Sequence, residues 1–316
     1  MKHYIVTGGA GFIGSHLIDR LLAEGAKVTC VDNFDSFYSR ETKCENLTKA
    51  RNSQNFVMLE GDICDLRLWE SIEHTHFDQI VHLAAKAGVR PSIEDPVGYY
   101  QTNVQGTLNV VEFARKSGIK KIVFASSSSV YGNCKSVPFT EDSLDLVPIS
   151  PYASTKLAGE HIGSVYSHLH GIDFIGLRFF TVYGPRQRPD LAIHKFAKMI
   201  KAGDEIPFFG DGTTSRDYTY IDDIIDGITR AMNYDGESYA IFNLGNDRSV
   251  SLDVLLRTIE KELGCDARLN RLPMQPGDVT LTRACVKKSG ESLGYAPLTS
   301  FDEGIAKFVA WLRNKT

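Results

Sequence analysis

The segment Thr7-Gly-Gly-Ala-Gly-Phe-Ile-Gly14 decides the fold of this 316-residue chain. An apolar run over residues 3–7 precedes it, residues 15–24 carry leucine and isoleucine at helical spacing, and residues 27–32 are again apolar and β-branched. This order predicts a strand, a glycine turn, a helix and a second strand. Glycines suit the turn because it needs unusual backbone angles and because a pyrophosphate must approach bare backbone. The helix that follows would offer free N–H groups to phosphates.

Asp32 ends the second predicted strand, 18 residues after Gly14. A carboxylate at this place accepts hydrogen bonds from a ribose 2′-hydroxyl and repels a 2′-phosphate. The pattern therefore predicts NAD rather than NADP as cofactor. The alternative is a purely structural glycine turn beside an unrelated acidic residue.

Further apolar runs, separated by helical patterns, predict a doubly wound parallel sheet of the Rossmann type in an α/β protein. They cover residues 55–60, 79–84, 120–125, 172–179 and 239–244. Asp62 follows the third strand, and Asn103 precedes a helical stretch over residues 104–114. The pattern weakens over residues 184–212 and after residue 247, which predicts a smaller, interleaved α/β substrate domain.

The predicted domain division is correspondingly discontinuous. Residues 1–180 plus about 216–246 are expected to form the NAD-binding domain, and about 181–215 plus 247–316 the domain that binds substrate. The reason is that the apolar run over residues 239–244 returns to the sheet after the weaker segment.

Composition excludes several classes of function. Lys plus Arg number 35 against 39 Asp plus Glu, and no basic stripe exists, so nucleic-acid binding is not expected. No apolar run approaches the ~18 residues of a membrane span. The six scattered cysteines form no CxxC pair and predict a reduced, cytoplasmic protein, and the histidines suggest no metal site.

Tyr152 and Lys156 form the candidate catalytic pair. They lie four residues apart, on one face of a helix that Pro151 would begin. A tyrosine with its usual pKa of about 10 is a poor base at neutral pH, but a nearby cation favours the phenolate. Upstream, four serines at residues 126–129 end a predicted strand, and one of them is expected to hold a substrate hydroxyl against Tyr152. The alternatives are a solvent-facing helix and a serine-rich turn.

Four motifs together resemble the extended short-chain dehydrogenase/reductase superfamily, which includes nucleotide-sugar epimerases and dehydratases. They are the glycine segment, Val-Tyr-Gly132 after the serines, the Tyr152/Lys156 pair, and the segment from Ser215 to Asp222. The resemblance covers essentially the whole chain and implies Ser127, Tyr152 and Lys156 as the catalytic set. The expected contacts with NAD are Gly8, Gly11, Phe12, Ile13, Gly14, Asp32, Asn33, Lys43, Asp62, Ile63, Leu83, Ala84, Lys86, Asn103, Tyr152 and Lys156.

Within the superfamily, the residues after the catalytic serine favour epimerisation at C4. Similar 4,6-dehydratases carry an Asp-Glu pair there, because eliminating water needs a further acid and base. Similar UDP-glucuronate decarboxylases carry a Glu at the second position. This chain has Ser128 and Ser129 instead.

The stretch Arg178-Phe-Phe-Thr181-Val-Tyr-Gly-Pro-Arg186-Gln-Arg188-Pro-Asp-Leu-Ala192 resembles UDP-glucuronate 4-epimerases, as do residues 87–90 and 274–279. Oxidising C4 of a hexuronate creates a β-keto acid, which loses carbon dioxide easily when its carboxylate stands perpendicular to the ketone. Ser127, Ser128 and Thr181 are expected to hold that carboxylate by hydrogen bonds.

Arginines complete the predicted substrate site, since they bind carboxylates and phosphates in bidentate geometry. Arg90 and Arg188 are expected to contact substrate, Arg186 to face it, and by family position Arg216 should bind the UDP phosphates and Asp278 the uridine ribose. A homodimer is expected, because relatives commonly dimerise through a four-helix bundle. UDP-glucose or UDP-N-acetylhexosamine 4-epimerases, a decarboxylase and a catalytically silent NAD sensor remain alternatives.

Overall fold

The structure is a computed structural model that describes residues 1–273 and 280–315. Strands and helices alternate along the first 180 residues. In the described ranges the strands are β1 (His3–Thr7), β2 (Lys27–Asp32), β3 (Phe56–Glu60), β4 (Gln79–His82), β5 (Lys121–Ser127), β6 (Asp173–Phe179), β7 (Thr181–Tyr183), β8 (Glu205–Phe209), β9 (Ser215–Tyr220), β10 (Tyr239–Leu244), β11 (Ser249–Ser251) and β12 (Arg268–Leu272).

The helices connect these strands. They are α1 (Phe12–Ala23), α2 (Arg40–Asn46), α3 (Thr48–Arg51), α4 (Leu66–Glu70), α5 (Val89–Glu94), α6 (Pro96–Tyr100), α7 (Gly106–Lys116), α8 (Pro151–His170), α9 (Ala192–Ala202), α10 (Ile221–Met232), α11 (Leu252–Leu263), α12 (Lys287–Leu293) and α13 (Phe301–Asn314). A π-helical turn at Gln101–Gln105 precedes α7, and a 3-10 turn at Ser128–Tyr131 follows β5.

Seven strands form one parallel sheet in the order β10-β6-β5-β4-β1-β2-β3, as far as the described residues extend. The prediction of a doubly wound α/β fold is confirmed. Side chains alternate between its faces. Tyr4 and Val6 of β1 belong to an apolar cluster with α1 and α10, whereas Ile5 belongs to a second cluster with α7 and α8. Helices therefore cover the sheet on both faces.

The chain leaves this sheet after β6 and returns to it at β10. Strands β7, β8 and β9 lie between the two. Strand β9 pairs with β7 and with β11, and β8 pairs with β12, so two strands that follow β10 complete these small sheets. Strand β10 then aligns parallel to β6, with Tyr239 opposite Phe174. The domain boundaries given above stay a prediction, and β9, which they assign to the NAD-binding domain, pairs in this small sheet.

The site lies at the edge where the parallel strands end. Strand order reverses between β1 and β4, and ligands of such sheets bind in the crevice at that reversal, beyond the carboxyl ends of the strands. No helix among the described residues is both long enough and apolar enough to cross a membrane.

Candidate active site

The glycine turn after β1 packs against the end of β4. Gly8 has a φ of +68°, in the left-handed region that favours glycine, and an added Cβ would lie 2.7 Å from the amide nitrogen of Ala84. A Cβ on Gly14 would lie 2.3 Å from the carbonyl oxygen of Gly8. Helix α1 begins at Phe12, directly after Gly11. The turn thus leaves bare backbone and a helix N-terminus facing the crevice, which suits a phosphate group.

Asp32 ends β2 beside this turn. Its buried carboxylate accepts hydrogen bonds from the backbone N–H groups of Ala10 (3.0 Å) and Phe34 (2.8 Å). Burial raises the pKa of Asp32, and the two N–H donors and the charge of Lys43 oppose that rise. The side chain is therefore fixed in place at the rim of the glycine turn.

The other predicted residues near Asp32 are held by local hydrogen bonds. The amide of Asn33 donates to Asp62 at 2.9 Å, and the ammonium of the buried Lys43 donates to the carbonyl of Asp35 at 2.6 Å. Burial lowers the pKa of Lys43. Ile63 is buried, and its side chain lies where a Cβ on Gly106 would stand.

The segment after β4 is joined to the start of α7 by Asn103. Its side chain accepts from the N–H of Lys86 (2.8 Å) and donates to the carbonyl of Lys86 (2.9 Å) and to the hydroxyl of Thr155 (2.9 Å). The residue lies in the π-helical turn, so the α-helix begins at Gly106, two residues later than expected. The N–H of Leu83 donates a hydrogen bond to the carbonyl of Thr7, and the N–H of Ala84 donates one to the Thr7 hydroxyl.

Tyr152 and Lys156 occupy one face of α8, which begins at Pro151 with Ser150 as its N-cap. The Lys156 ammonium lies 5.9 Å from the centre of the Tyr152 ring and donates to the carbonyl of Ala125 at 2.7 Å. Burial lowers the pKa of Lys156 to about 7. Burial raises the pKa of Tyr152, while a hydrogen bond with Ser127 and the charge of Arg188 lower it.

Ser127 is the last residue of β5, so the strand end presents it to Tyr152. Its hydroxyl also accepts hydrogen bonds from the N–H (3.2 Å) and the hydroxyl (2.9 Å) of Ser129. Ser128 begins the 3-10 turn, and Thr181 begins β7, two residues after the β6 residue that pairs with Ser127. These hydroxyls therefore follow two neighbouring strand ends.

Arg188 is mostly buried beside the catalytic pair. It stacks over the ring of Phe37 (4.7 Å), pairs with Asp190 (2.7 Å) and donates to the carbonyl of Ala87 (3.4 Å). Burial lowers the pKa of Arg188, but Asp190, Tyr152 and Tyr38 together raise it above its usual value. The guanidinium stays charged next to Tyr152.

The other predicted arginines have different surroundings. Arg186 adopts a φ of +63°, and its guanidinium forms an ion pair with Asp19 of α1 at 2.7 Å. Arg216 lies half-buried on β9 and donates to the carbonyl of Ser215 at 3.0 Å. Arg90 is exposed on α5, 6.0 Å from the ring of Phe209. Asp278 lies outside the described residues.

Comparison with known proteins places this geometry in a family. The family model described as "NAD dependent epimerase/dehydratase family" matches residues 4–245. The chain belongs to this family. The resemblance inferred from the motifs is thereby confirmed.

Several nucleotide-sugar epimerases are similar to this protein over nearly its whole length. A UDP-glucuronate 4-epimerase of Thermodesulfobacterium geofontis is 40% identical, covering 98% of this chain and 96% of that protein. The crystal structure of a UDP-glucuronic acid 4-epimerase from Bacillus cereus, in complex with UDP-glucuronic acid and NAD, superposes with a TM-score of 0.93 at 35% identity, covering 99% and 100%. The crystal structure of a UDP-glucose 4-epimerase of Thermotoga maritima with UDP-glucose superposes with a TM-score of 0.91 at 33% sequence identity, and the match covers 99% of each chain.

Two features of this family member escaped the sequence reasoning. The ring of Tyr99 packs edge-on against Tyr152, 6.3 Å away, and its hydroxyl donates to the carbonyl of Ala87 at 3.1 Å. Glu160 forms a buried bidentate ion pair with Arg178 (2.9 and 2.8 Å). Glu160 lies four residues after Lys156, and this spacing alone could have indicated that it shares the helix face of the catalytic pair.

Proposed function

We propose that this protein catalyses NAD-dependent epimerisation at C4 of a UDP-sugar through a transient 4-keto sugar, with UDP-glucuronate and UDP-galacturonate as the pair interconverted. The observation that carries the proposal is the placement of Ser127, Tyr152 and Lys156 at one strand end beside the glycine turn. The similarity to UDP-glucuronate 4-epimerases supports the choice of sugar.

The residues present fit NAD. At Gly8 and Gly14 the turn packs against the protein's own backbone so closely that a Cβ has no space, and Gly11 leaves bare backbone at the start of α1, which suits a pyrophosphate. Asp32 would accept hydrogen bonds from the adenosine ribose hydroxyls, and Lys156 would bind the nicotinamide ribose. When bound, NAD would supply a reversible hydride acceptor at C4 of the sugar.

The proton chemistry belongs to Tyr152. Its phenolate accepts the proton of the sugar O4 as C4 is oxidised and gives it back when C4 is reduced. Arg188 favours the phenolate because its charge lowers the pKa of Tyr152, and the Lys156 ammonium, 5.9 Å from the centre of the ring, would add positive charge on the same side. Ser127 orients O4 towards Tyr152. The 4-keto sugar turns about its bonds to the diphosphate between the two steps, which presents its other face.

An epimerase acting on a uronate must also prevent loss of carbon dioxide from its β-keto acid. Hydroxyls hold a carboxylate in a fixed plane without neutralising it fully, and Ser127, Ser128 and Thr181 supply three of them at adjacent strand ends. Ser129 occupies the place of the decarboxylase glutamate and is engaged with Ser127. At Ser128 and Ser129 the chain therefore offers no carboxyl group as a further acid or base.

The test is turnover of a UDP-sugar panel by the purified protein without added NAD. We expect UDP-glucuronate to equilibrate with UDP-galacturonate and to release little carbon dioxide. A pentose product would identify a decarboxylase instead. Turnover restricted to UDP-glucose would favour the neutral-sugar activity, for which the similarity to the Thermotoga maritima enzyme is the supporting observation.

The assembly and location that fit this activity are a homodimer in the cytoplasm. Val97, Tyr100, Val165 and Leu169 are exposed on α6 and α8, two helices that pack side by side, and a second copy of the chain would cover them. All six cysteines lie in the described residues and none is paired, which suits a reducing compartment. The discontinuous division into an NAD-binding and a sugar-binding domain is part of the same proposal.

A further inference from the structure

Three residues of α8, spaced by four, contact the carboxyl end of β5. Each makes a hydrogen bond there: Tyr152 with Ser127, Lys156 with the carbonyl of Ala125, and Glu160 with the hydroxyl of Ser126. Positions spaced by four lie above one another on a helix. Glu160 thus continues the stripe that carries the catalytic pair.

Glu160 is held from a second strand as well. Arg178 of β6, the residue paired with Ser126 across the sheet, donates to both carboxylate oxygens of Glu160 at 2.9 and 2.8 Å. Both side chains are only 3% exposed. Arg178 in turn stacks over Tyr131 at 4.9 Å, whose hydroxyl donates to Asn243 of β10. The carboxylate is therefore locked between α8, β5 and β6.

Apart from Glu160, the groups that face Lys156 among the described residues include no carboxylate. His82, at the end of β4, has a pKa lowered to about 3 by burial and is neutral. The charged and titratable groups that face Lys156 or Glu160 are Tyr152 and Glu160 on α8, His82 on β4, Arg178 on β6, Tyr131 on the 3-10 turn and Tyr239 on β10. Glu160 is the carboxylate of this set.

We propose that Glu160 is a positioning residue for the reaction: fixed by Arg178 and Ser126, it holds α8 against the end of β5 and keeps the buried Lys156 protonated. This inference rests on the proposed function for its effect on turnover. A buried ammonium tends to lose its proton, and a nearby negative charge opposes that loss. Burial indeed lowers the pKa of Lys156, and Glu160 raises it. Without the carboxylate, the cation that favours the Tyr152 phenolate would be lost at lower pH.

The experiment compares Glu160→Gln with Glu160→Asp in the NAD-loaded protein. Gln keeps the shape and a hydrogen-bond acceptor but removes the charge, whereas Asp keeps the charge. The first readout is the titration of the Lys156 ¹³Cε resonance in lysine-labelled protein, assigned by its absence in Lys156→Arg. We expect the midpoint to fall by about one pH unit in the Gln variant and by less in the Asp variant.

The second readout is kcat for UDP-glucuronate against pH. In Glu160→Gln the descending alkaline limb is expected to move to lower pH by a similar amount, with NAD content and KM unchanged. At a pH near the Lys156 midpoint, such a shift reduces the protonated fraction from about one half to about one tenth, a roughly fivefold loss of kcat. Glu160→Asp should restore the limb.

The control is Glu112→Gln. Glu112 pairs with Arg115 at 3.0 Å and accepts from Tyr166 of α8 at 2.6 Å, so it also joins a carboxylate and an arginine to this helix, ten residues beyond Lys156. We expect neither readout to change. An unmoved Lys156 midpoint in folded Glu160→Gln overturns the inference. A moved midpoint in a protein that turns over no UDP-sugar supports it and overturns the proposed function.

A variant that fails to fold is replaced by Ser126→Ala. This change keeps both charges of the ion pair and removes the hydroxyl that fixes Glu160. A Lys156 midpoint that moves to lower pH supports the inference, and an unmoved midpoint overturns it.

Discussion

Replacing Gly8 by alanine tests whether the glycine turn is built for close packing of its backbone against the end of β4. Gly8 has a φ of +68°, and a Cβ there would lie 2.7 and 2.8 Å from the nitrogen and Cα of Ala84. The left-handed conformation costs an L-residue about 1–2 kcal/mol. The contact is with backbone, which cannot rotate away, and such overpacking costs about 1–3 kcal/mol.

Together these costs should lower the free energy of unfolding of Gly8→Ala by about 2–5 kcal/mol. The matched control variant is Gly118→Ala. Gly118 has a φ of +71°, and a Cβ there meets nothing within 4 Å. This variant carries the conformational cost alone. The difference between the two variants, about 1–3 kcal/mol, then isolates the contact with Ala84.

The assay is urea unfolding of both variants in the NAD-free form, followed by measurement of NAD bound to each purified protein. We expect Gly8→Ala to be the less stable of the two and to lose bound NAD, because the Cβ displaces the turn from the position in which its backbone meets the pyrophosphate. Gly118→Ala should retain NAD. Equal loss of stability in both variants, with NAD retained in both, would refute the steric reasoning.

Three further predictions concern single carboxylates and the catalytic tyrosine. Tyr152→Phe should reduce kcat by about 10²–10⁴ while leaving bound NAD in place; unchanged turnover of every UDP-sugar would contradict the role of the phenolate. Asp32→Asn removes the charge that repels a 2′-phosphate, so titration of the NAD-free protein should show NADP binding gaining on NAD, and a constant ratio of the two dissociation constants would count against the assignment. Burial raises the pKa of Asp217 to about 6. The folded state therefore holds this proton more tightly than the unfolded state, and its contribution to stability should fall by about 3 kcal/mol as pH rises from about 4 to about 6. Urea unfolding across that range should show this fall in the natural protein relative to Asp217→Asn, and identical pH dependence of the two would rule it out.

The fold was predictable because local patterns agreed with one another. Each strand of the large sheet is a short apolar run, and the glycine segment marks where the first of them turns into a helix. The return of residues 239–244 to the sheet was also predictable, since they are apolar and β-branched or aromatic enough to be buried on both faces. The pairing of β7, β9 and β11 was not, because such short half-polar strands carry little periodicity.

The positions of several site residues depend on contacts between distant parts of the chain, which sequence motifs do not predict. The position of Arg188 next to Tyr152 follows from its stacking on Phe37, across a long separation in sequence. Arg186, two residues earlier, turns to Asp19 because its backbone adopts the left-handed conformation. Nothing in the motif shared by the two arginines distinguishes these outcomes.

The late return of β10 also has a consequence for synthesis on the ribosome. Strand β6 ends at residue 179, and β10, its outer neighbour, begins at residue 239. At ordinary rates of translation the 59 intervening residues take about 3–12 s to make. During that interval β6 presents an unpaired, apolar edge of the kind that recruits other strands. A chain cut after residue 180 would keep this edge open permanently, so we expect such a fragment to aggregate, although it contains the whole glycine turn and the catalytic pair.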